Sequence, residues 1–176
     1  GTPPFGCDRV DGVPPMPSFG EGEKLLVTAS THDSRGFRRT EDATAHRVLT
    51  TRLYHKIMDH VADIAEVEEW QLEDAESAFV TYGFTARGAL AAVERLRSEG
   101  SKVGLLRLKT LWPFPEEQVR QLGSRVGTIV VPEMNLGQMV HVVSAVASCQ
   151  VVPFTQMDGT VIYPSVLVEA MRRALA

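Results

Sequence analysis

Four short stretches bring together residue types that can do chemistry. Gly83-Phe84-Thr85-Ala86-Arg87-Gly88 follows an apolar run and opens an amphipathic one. Free backbone N–H groups and the helix dipole at such a turn can hold an anion. The stretch is not a P-loop, because Ala89 and Leu90 stand where Lys and Ser/Thr are required, and Thr85 occupies the second glycine of a dinucleotide fingerprint. Its bland reading is a helix capped by Thr85. Glu133, Asn135 and Gln138 surround a second turn of the same kind, where Asn135 can cap a helix and Gly137 lets backbones approach closely. Glu133 has the chemistry of a general base, but no His or Ser lies at a local spacing to exchange a proton with it. Capping and subunit contact are favoured there. In Thr110-Leu111-Trp112-Pro113-Phe114-Pro115 the prolines fix a rigid turn, and Trp112 and Phe114 offer apolar anchors that bury against a neighbour. His32, Asp33 and Arg35 form a polar cluster in a glycine-bounded loop, a place that can carry function but reads first as a solvated turn. His55 and His60 are five apart, on different helix faces, so they lack the spacing of a helical metal pair. No metal site is read.

The elements that must position these residues follow from periodicity. Residues 1–40 hold Pro at 3, 4, 14, 15 and 17 and frequent glycine, a composition for an extended arm and connector rather than a regular element. Leu25 to Thr28 is expected as one short strand. A helix is expected from Thr40, capped by its hydroxyl with Glu41 and Asp42 in the first turn, and its stripe is Leu49, Leu53, Ile57 and Val61. Residues 41–77 comprise that helix and an acidic linker around Trp70. From Ala78 onward short apolar runs at 78–82, 103–108, 128–131 and 151–154 read as buried parallel strands. Helices fit between and after them: one bearing Ala86, Ala89, Leu90, Val93 and Leu96 and closed by Gly100, then 115–122, 136–148 with Met139, Val142, Val143 and Val146 inward, and 164–175. Strand alternating with helix predicts a three-layer α/β domain over 78–176.

Composition narrows the function classes. A chain of 176 residues with 44% hydrophobic content can bury a real core. Eighteen basic residues against 22 acidic ones, a net charge of −4 and no basic run leave no footprint for nucleic acid. Cys7 and Cys149 form no Cys-x-x-Cys pair, which excludes a zinc ribbon or a four-thiolate iron–sulfur site built from this chain alone. The apolar stretch 140–154 is broken by His141, Ser144, Ser148, Gln150 and Pro153, so no membrane span or signal is expected, and the location expected is cytoplasmic. The chain has no initiator Met and is expected to be a piece of something longer or a processed product.

Taken together, residues 80–87, 106–115 and 130–138, with Thr31-His32-Asp33-Ser34-Arg35-Gly36, Thr40-Glu41-Asp42 and Arg52-Leu53-Tyr54-His55-Lys56-Ile57, resemble the carboxyl-terminal part of the alpha subunit of 2-oxoacid:ferredoxin oxidoreductases, the 2-oxoglutarate type especially. The resemblance implies a transketolase carboxyl-terminal-like domain with a five-stranded mixed sheet, one strand antiparallel and supplied by Leu25 to Thr28 or by the Glu68 to Leu72 region. It implies oxidative decarboxylation of a 2-oxoacid with coenzyme A, using thiamine diphosphate, Mg²⁺ and iron–sulfur transfer to ferredoxin. In that family the pyrimidine-binding domain precedes this segment, and the diphosphate and cluster sites belong mainly to the beta subunit. No catalytic or cofactor-binding residue is therefore carried over. Gly83, Thr85, Arg87, Trp112, Phe114, Glu133, Asn135, Gln138, His32 and Arg35 transfer as strand-end and interface candidates, and the partners implied are the amino-terminal part of the alpha subunit and the beta subunit. The arm departs from the family in lacking an Arg after the first proline of Pro14-Pro15-Met16-Pro17. The expected role is assembly and domain positioning, with the isolated chain inactive. Two rivals remain: a freestanding domain binding a small anion at Gly83 to Thr85 and Asn135, or a regulatory one, and a small enzyme using Glu133. An exposed apolar patch near Trp112 and Phe114 would favour assembly.

Overall fold

The computed structural model describes residues 3–22 and 24–176. It resolves into two compact units, Gly1–Ile64 and Ala65–Ala176.

In the first unit the arm is irregular, and Leu25 to Thr28 forms no strand; the regular pairing nearby is an isolated bridge between His32 and Arg38. Helix α1 spans Ala43–Met58 and starts three residues later than Thr40 suggested. Asp42 caps it instead, its carboxylate accepting from Thr44 N and Ala45 N at 2.9 Å. A carboxylate in that place also meets the positive end of the dipole, so it serves better than the Thr40 hydroxyl. Val61 belongs to a separate turn, α2 (Val61–Ile64), and Leu53 is exposed, which shortens the expected stripe to Leu49 and Ile57.

The second unit is a five-stranded sheet between helices. Strand β1 (Val67–Trp70) lies antiparallel to β3 (Val103–Leu108), while β2 (Ser77–Tyr82), β3, β4 (Thr128–Glu133) and β5 (Gln150–Thr155) are parallel, in the order β1-β3-β2-β4-β5. The acidic stretch read as a linker is thus an edge strand, and of the two sources the resemblance offered for the antiparallel strand it is the Glu68 to Leu72 region, not Leu25 to Thr28, that supplies it. Its charges are answered across the ladder: Glu68 pairs with Arg107 at 2.9 Å and Glu66 with Lys109. Helices α3 (Thr85–Ser98), α4 (Glu116–Arg125), α5 (Gln138–Val146) and α6 (Pro164–Leu175) follow β2, β3, β4 and β5.

Both faces of the central strands are covered, which is why their sequences are unbroken apolar runs rather than alternating ones. Ala78, Val80, Leu106, Leu108, Ile129 and Val131 point to one side, with Val119 and Leu122 of α4 and Val143 of α5. Phe79, Leu105 and Val130 point to the other, with Val93 and Leu96 of α3 and Leu167 and Met171 of α6. On α5 it is Val140 that turns inward, while Val142 is exposed. Helix α5 begins two residues later than expected, yet Met139 and Val143 face inward and Val146 packs against the same core, as its spacing predicted.

Candidate functional site

Parallel strands end together, so the turns after β2, β3, β4 and β5 share one edge of the sheet. Chain order changes direction between β2 and β4, and ligands of open α/β sheets gather at such a switch point. In this sheet the two strands part there. Their ladder runs from Ser77 opposite Thr128 to Phe79 opposite Val130 and stops. Pro132 has no N–H to donate, and its carbonyl accepts instead from the Thr81 hydroxyl at 2.8 Å.

Above that split lies a closed set of side-chain bonds. Glu133, 1% exposed, accepts from Met139 N through Oε2 and from Val140 N through Oε1, both at 2.8 Å. Its carboxylate thereby covers the orphan donors and positive end of α5. The Tyr82 hydroxyl donates to Glu133 Oε2 at 3.4 Å and accepts from Asn135 Nδ2 at 2.8 Å. Asn135 Oδ1 accepts from Gly137 N and Gln138 N at 2.7 and 3.2 Å. Gly137 reaches this turn at φ +91°, the left-handed region that glycine tolerates. Burial first, and then the nearby Glu133 charge, raise the Tyr82 phenol above its ordinary range.

This arrangement holds a helix in place: the Glu133 carboxylate, the Tyr82 hydroxyl and the Asn135 amide each face partners from the same domain, while Gln138 enters it through its backbone N–H and is exposed. An anion placed at Asn135 would meet the Glu133 carboxylate on donors it already occupies. Tyr82, the hub of the set, was not singled out from sequence; an aromatic with a polar tip at the last position of an apolar run was the available signal.

The other candidates separate. Thr85 is buried as the first residue of α3 and does not cap it; Phe84 holds the cap position without a side-chain bond. Gly83 takes φ +56° and stays exposed, and the Arg87 guanidinium lies 5.7 Å over the Phe84 ring. Trp112 and Phe114, expected as a pair of anchors, face differently: Phe114 packs half-buried on the domain's own core, while Trp112 is 66% exposed beside a cis bond to Pro113. His32 and Arg35 belong to the first unit. There Asp33 Oδ1 accepts from Arg35 N and Phe37 N at 3.0 and 3.1 Å, so the loop is a side-chain-tied turn. Among the described residues no three His, Cys, Asp or Glu side chains gather to hold a metal ion, and no helix is long and apolar enough to cross a membrane.

Beside exposed polar residues such as Lys109, Gln138 and Asp158, the four turns leave a set of large apolar side chains exposed. Phe84 after β2, Leu111 and Trp112 after β3, Met134 and Leu136 after β4, and Met157, Val161 and Tyr163 after β5 all stand in solvent at this one edge.

Comparison with known proteins agrees with this architecture. Residues 75–167 match the family model described as pyruvate:ferredoxin oxidoreductase core domain II. The chain is 42% identical over 145 residues to the 2-oxoglutarate synthase subunit KorA of Methanothermobacter thermautotrophicus, an overlap of 82% of this chain and 38% of that one. It therefore spans under two fifths of that relative's length. A solved 2-oxoglutarate:ferredoxin oxidoreductase from Magnetococcus marinus, with 2-oxoglutarate, coenzyme A and succinyl-CoA bound, superposes with a TM-score of 0.82 at 25% identity, covering 98% of this chain and 30% of that one. A split-gene transketolase, an inactive β4 tetramer, shares the fold at a TM-score of 0.53 and 22% identity over 61% of this chain and 41% of its own. With the antiparallel edge strand, the parallel sheet and more than half of its length matched, the chain belongs to the pyruvate:ferredoxin oxidoreductase core domain II family.

Proposed function

We propose that this chain is the carboxyl-terminal domain of the alpha subunit of a cytoplasmic 2-oxoacid:ferredoxin oxidoreductase, of the 2-oxoglutarate type, and that it serves assembly rather than chemistry. In the whole enzyme a 2-oxoacid and coenzyme A give acyl-CoA and CO₂, with two electrons passed to ferredoxin. Bound elsewhere in the whole enzyme, thiamine diphosphate would supply the decarboxylation chemistry and iron–sulfur clusters the electron transfer. The residues present here do not fit those groups: the chain has two cysteines, one in each unit, against the four thiolates a cluster takes, and among the described residues the carboxylates do not gather for Mg²⁺. Those sites fall to the amino-terminal part of the subunit and to the beta subunit.

The observation that carries the reading is the apolar edge. Surfaces of large apolar residues in a monomer mark places where another chain sits, and Trp, Tyr, Phe and Met are the types enriched where partners bury. At the same edge the Glu133 carboxylate is occupied by the α5 amides and the Tyr82 hydroxyl, which opposes catalysis by Glu133. The test is co-purification of the complete alpha subunit with its beta subunit. Trp112→Glu combined with Leu136→Glu is expected to lower recovery of the beta subunit tenfold or more (about 1.4 kcal/mol per factor of ten) while the melting temperature of the 176-residue chain stays within a few degrees. Undiminished recovery would overturn the docking role.

A further inference from the structure

Arg52 is the buried residue of α1, 9% exposed, and its Nη1 has no hydrogen-bond partner. A guanidinium is always charged, and enclosing it without an acceptor is costly. Its surroundings do not answer it. Arg52 lines a cavity of about 340 Å³ together with Phe5, His32, Thr44, Val48 and Leu49. Asp33 and Asp42 also line this space, yet both carboxylates are engaged: Asp33 by the Arg35 and Phe37 amides and by Arg39 Nε at 3.1 Å, Asp42 by the Thr44 and Ala45 amides. Arg52 borders a second hollow with Arg9 and Arg47. Asp8 lines that hollow too, and it makes no bond to Arg52 Nη1; nearby Asp11 is taken up by Arg9, at 2.9 and 2.5 Å.

We propose that the cavity between the arm and α1 is a binding site for a small carboxylate with a short apolar body, its carboxylate held by the Arg52 guanidinium. The planar fork of arginine matches a carboxylate with two parallel bonds. The Phe5, Val48 and Leu49 walls suit an alkyl chain and offer a phosphate dianion few donors. The volume falls at the small end of ligand cavities. The site lies wholly in the first unit and is independent of the docking edge, so the two readings fail separately.

The test is NMR titration of the 176-residue chain with 4-methylvalerate, and separately with inorganic phosphate, following the Arg52 Nε–Hε resonance and the Val48 and Leu49 methyls. Saturable shifts with the carboxylate are expected, with a dissociation constant on the order of 1 mM or tighter. Arg52→Met should weaken binding about tenfold or more, and Val48→Phe, which fills the cavity and leaves the guanidinium, should do the same with an unchanged amide spectrum. Absence of saturable shifts, binding that survives Arg52→Met, or a response to phosphate alone would each overturn the assignment. If Arg52→Met does not fold, Val48→Phe decides.

Discussion

The Glu133 carboxylate ties the last residue of β4 to the first turn of α5, and the cost of disturbing it can be stated. Hydrogen bonds to a charged acceptor contribute about 1.5–3 kcal/mol each. In Glu133→Gln one backbone N–H of the pair faces an amide NH₂ instead of an oxygen. That variant is expected to lose about 2 kcal/mol or more in urea unfolding; a loss under about 0.5 kcal/mol would mean that the two bonds do not bear on stability. Tyr82 reports the same site optically. Its folded pKa lies above the unfolded value of 10.0, so the stabilisation is complete below pH 10 and is lost as pH rises through the folded value. Phenolate absorbance should therefore show Tyr82 titrating above the ordinary tyrosine range, and Glu133→Gln should move that midpoint down. Sequence pointed to Asn135 as a cap and favoured capping over chemistry at this turn, which the bonds to the α5 amides match, but it did not show what joins Glu133 and Asn135. Both were visible as polar residues at a strand-to-helix turn, whereas their common partner Tyr82 comes from a strand some fifty residues earlier, a proximity that only the β2–β4 packing creates.

At the level of elements, the strands with apolar runs were legible because burial on two faces leaves a continuous signal. Strand β1 was not legible in the residue pattern, for the converse reason, and only the family resemblance offered its region, as one of two choices. Its Val-Glu-Glu-Trp stretch lies at the edge, carries charge on a half-exposed face and looks like connector until Arg107 and Lys109 are seen opposite it. The edge depends on one glycine. A Cβ at Gly104 would press on the Leu72 side chain, the Gln71 carbonyl and, at 3.1 Å, the Trp70 carbonyl, where the chain leaves β1 and turns toward β2. Gly104→Ala should cost about 1–3 kcal/mol through that crowding. Chemical denaturation would show it, and an unchanged midpoint would mean that the turn after β1 yields freely. The Thr40 cap failed as an expectation because two good capping residues, Thr40 and Asp42, stand two apart, and the choice rests on where the preceding bridge at Arg38 releases the chain.

For the whole molecule the division at Ile64 and Ala65 places β1 inside the sheet unit rather than in front of it. A chain beginning at Ala65 is therefore expected to unfold in one cooperative transition. A chain beginning at Ala75 loses β1 and the buried Leu72, and removal of a buried leucine alone costs about 2–5 kcal/mol. It should melt well below the longer one, at about 4–8 °C per kcal/mol, and equal melting temperatures would show that β1 is an ornament on a finished sheet. The two borders of that sheet have a further consequence. An open border with free amides invites another strand. On one side β1 carries Glu66, Glu68 and Glu69 along its length or at its start, and on the other Pro153 removes a donor from β5. Strand addition is thus discouraged at both ends, and the sheet is self-limiting at five: crowded copies of this domain have little means of growing into fibrils through their backbones, so association is steered to side chains at the apolar edge.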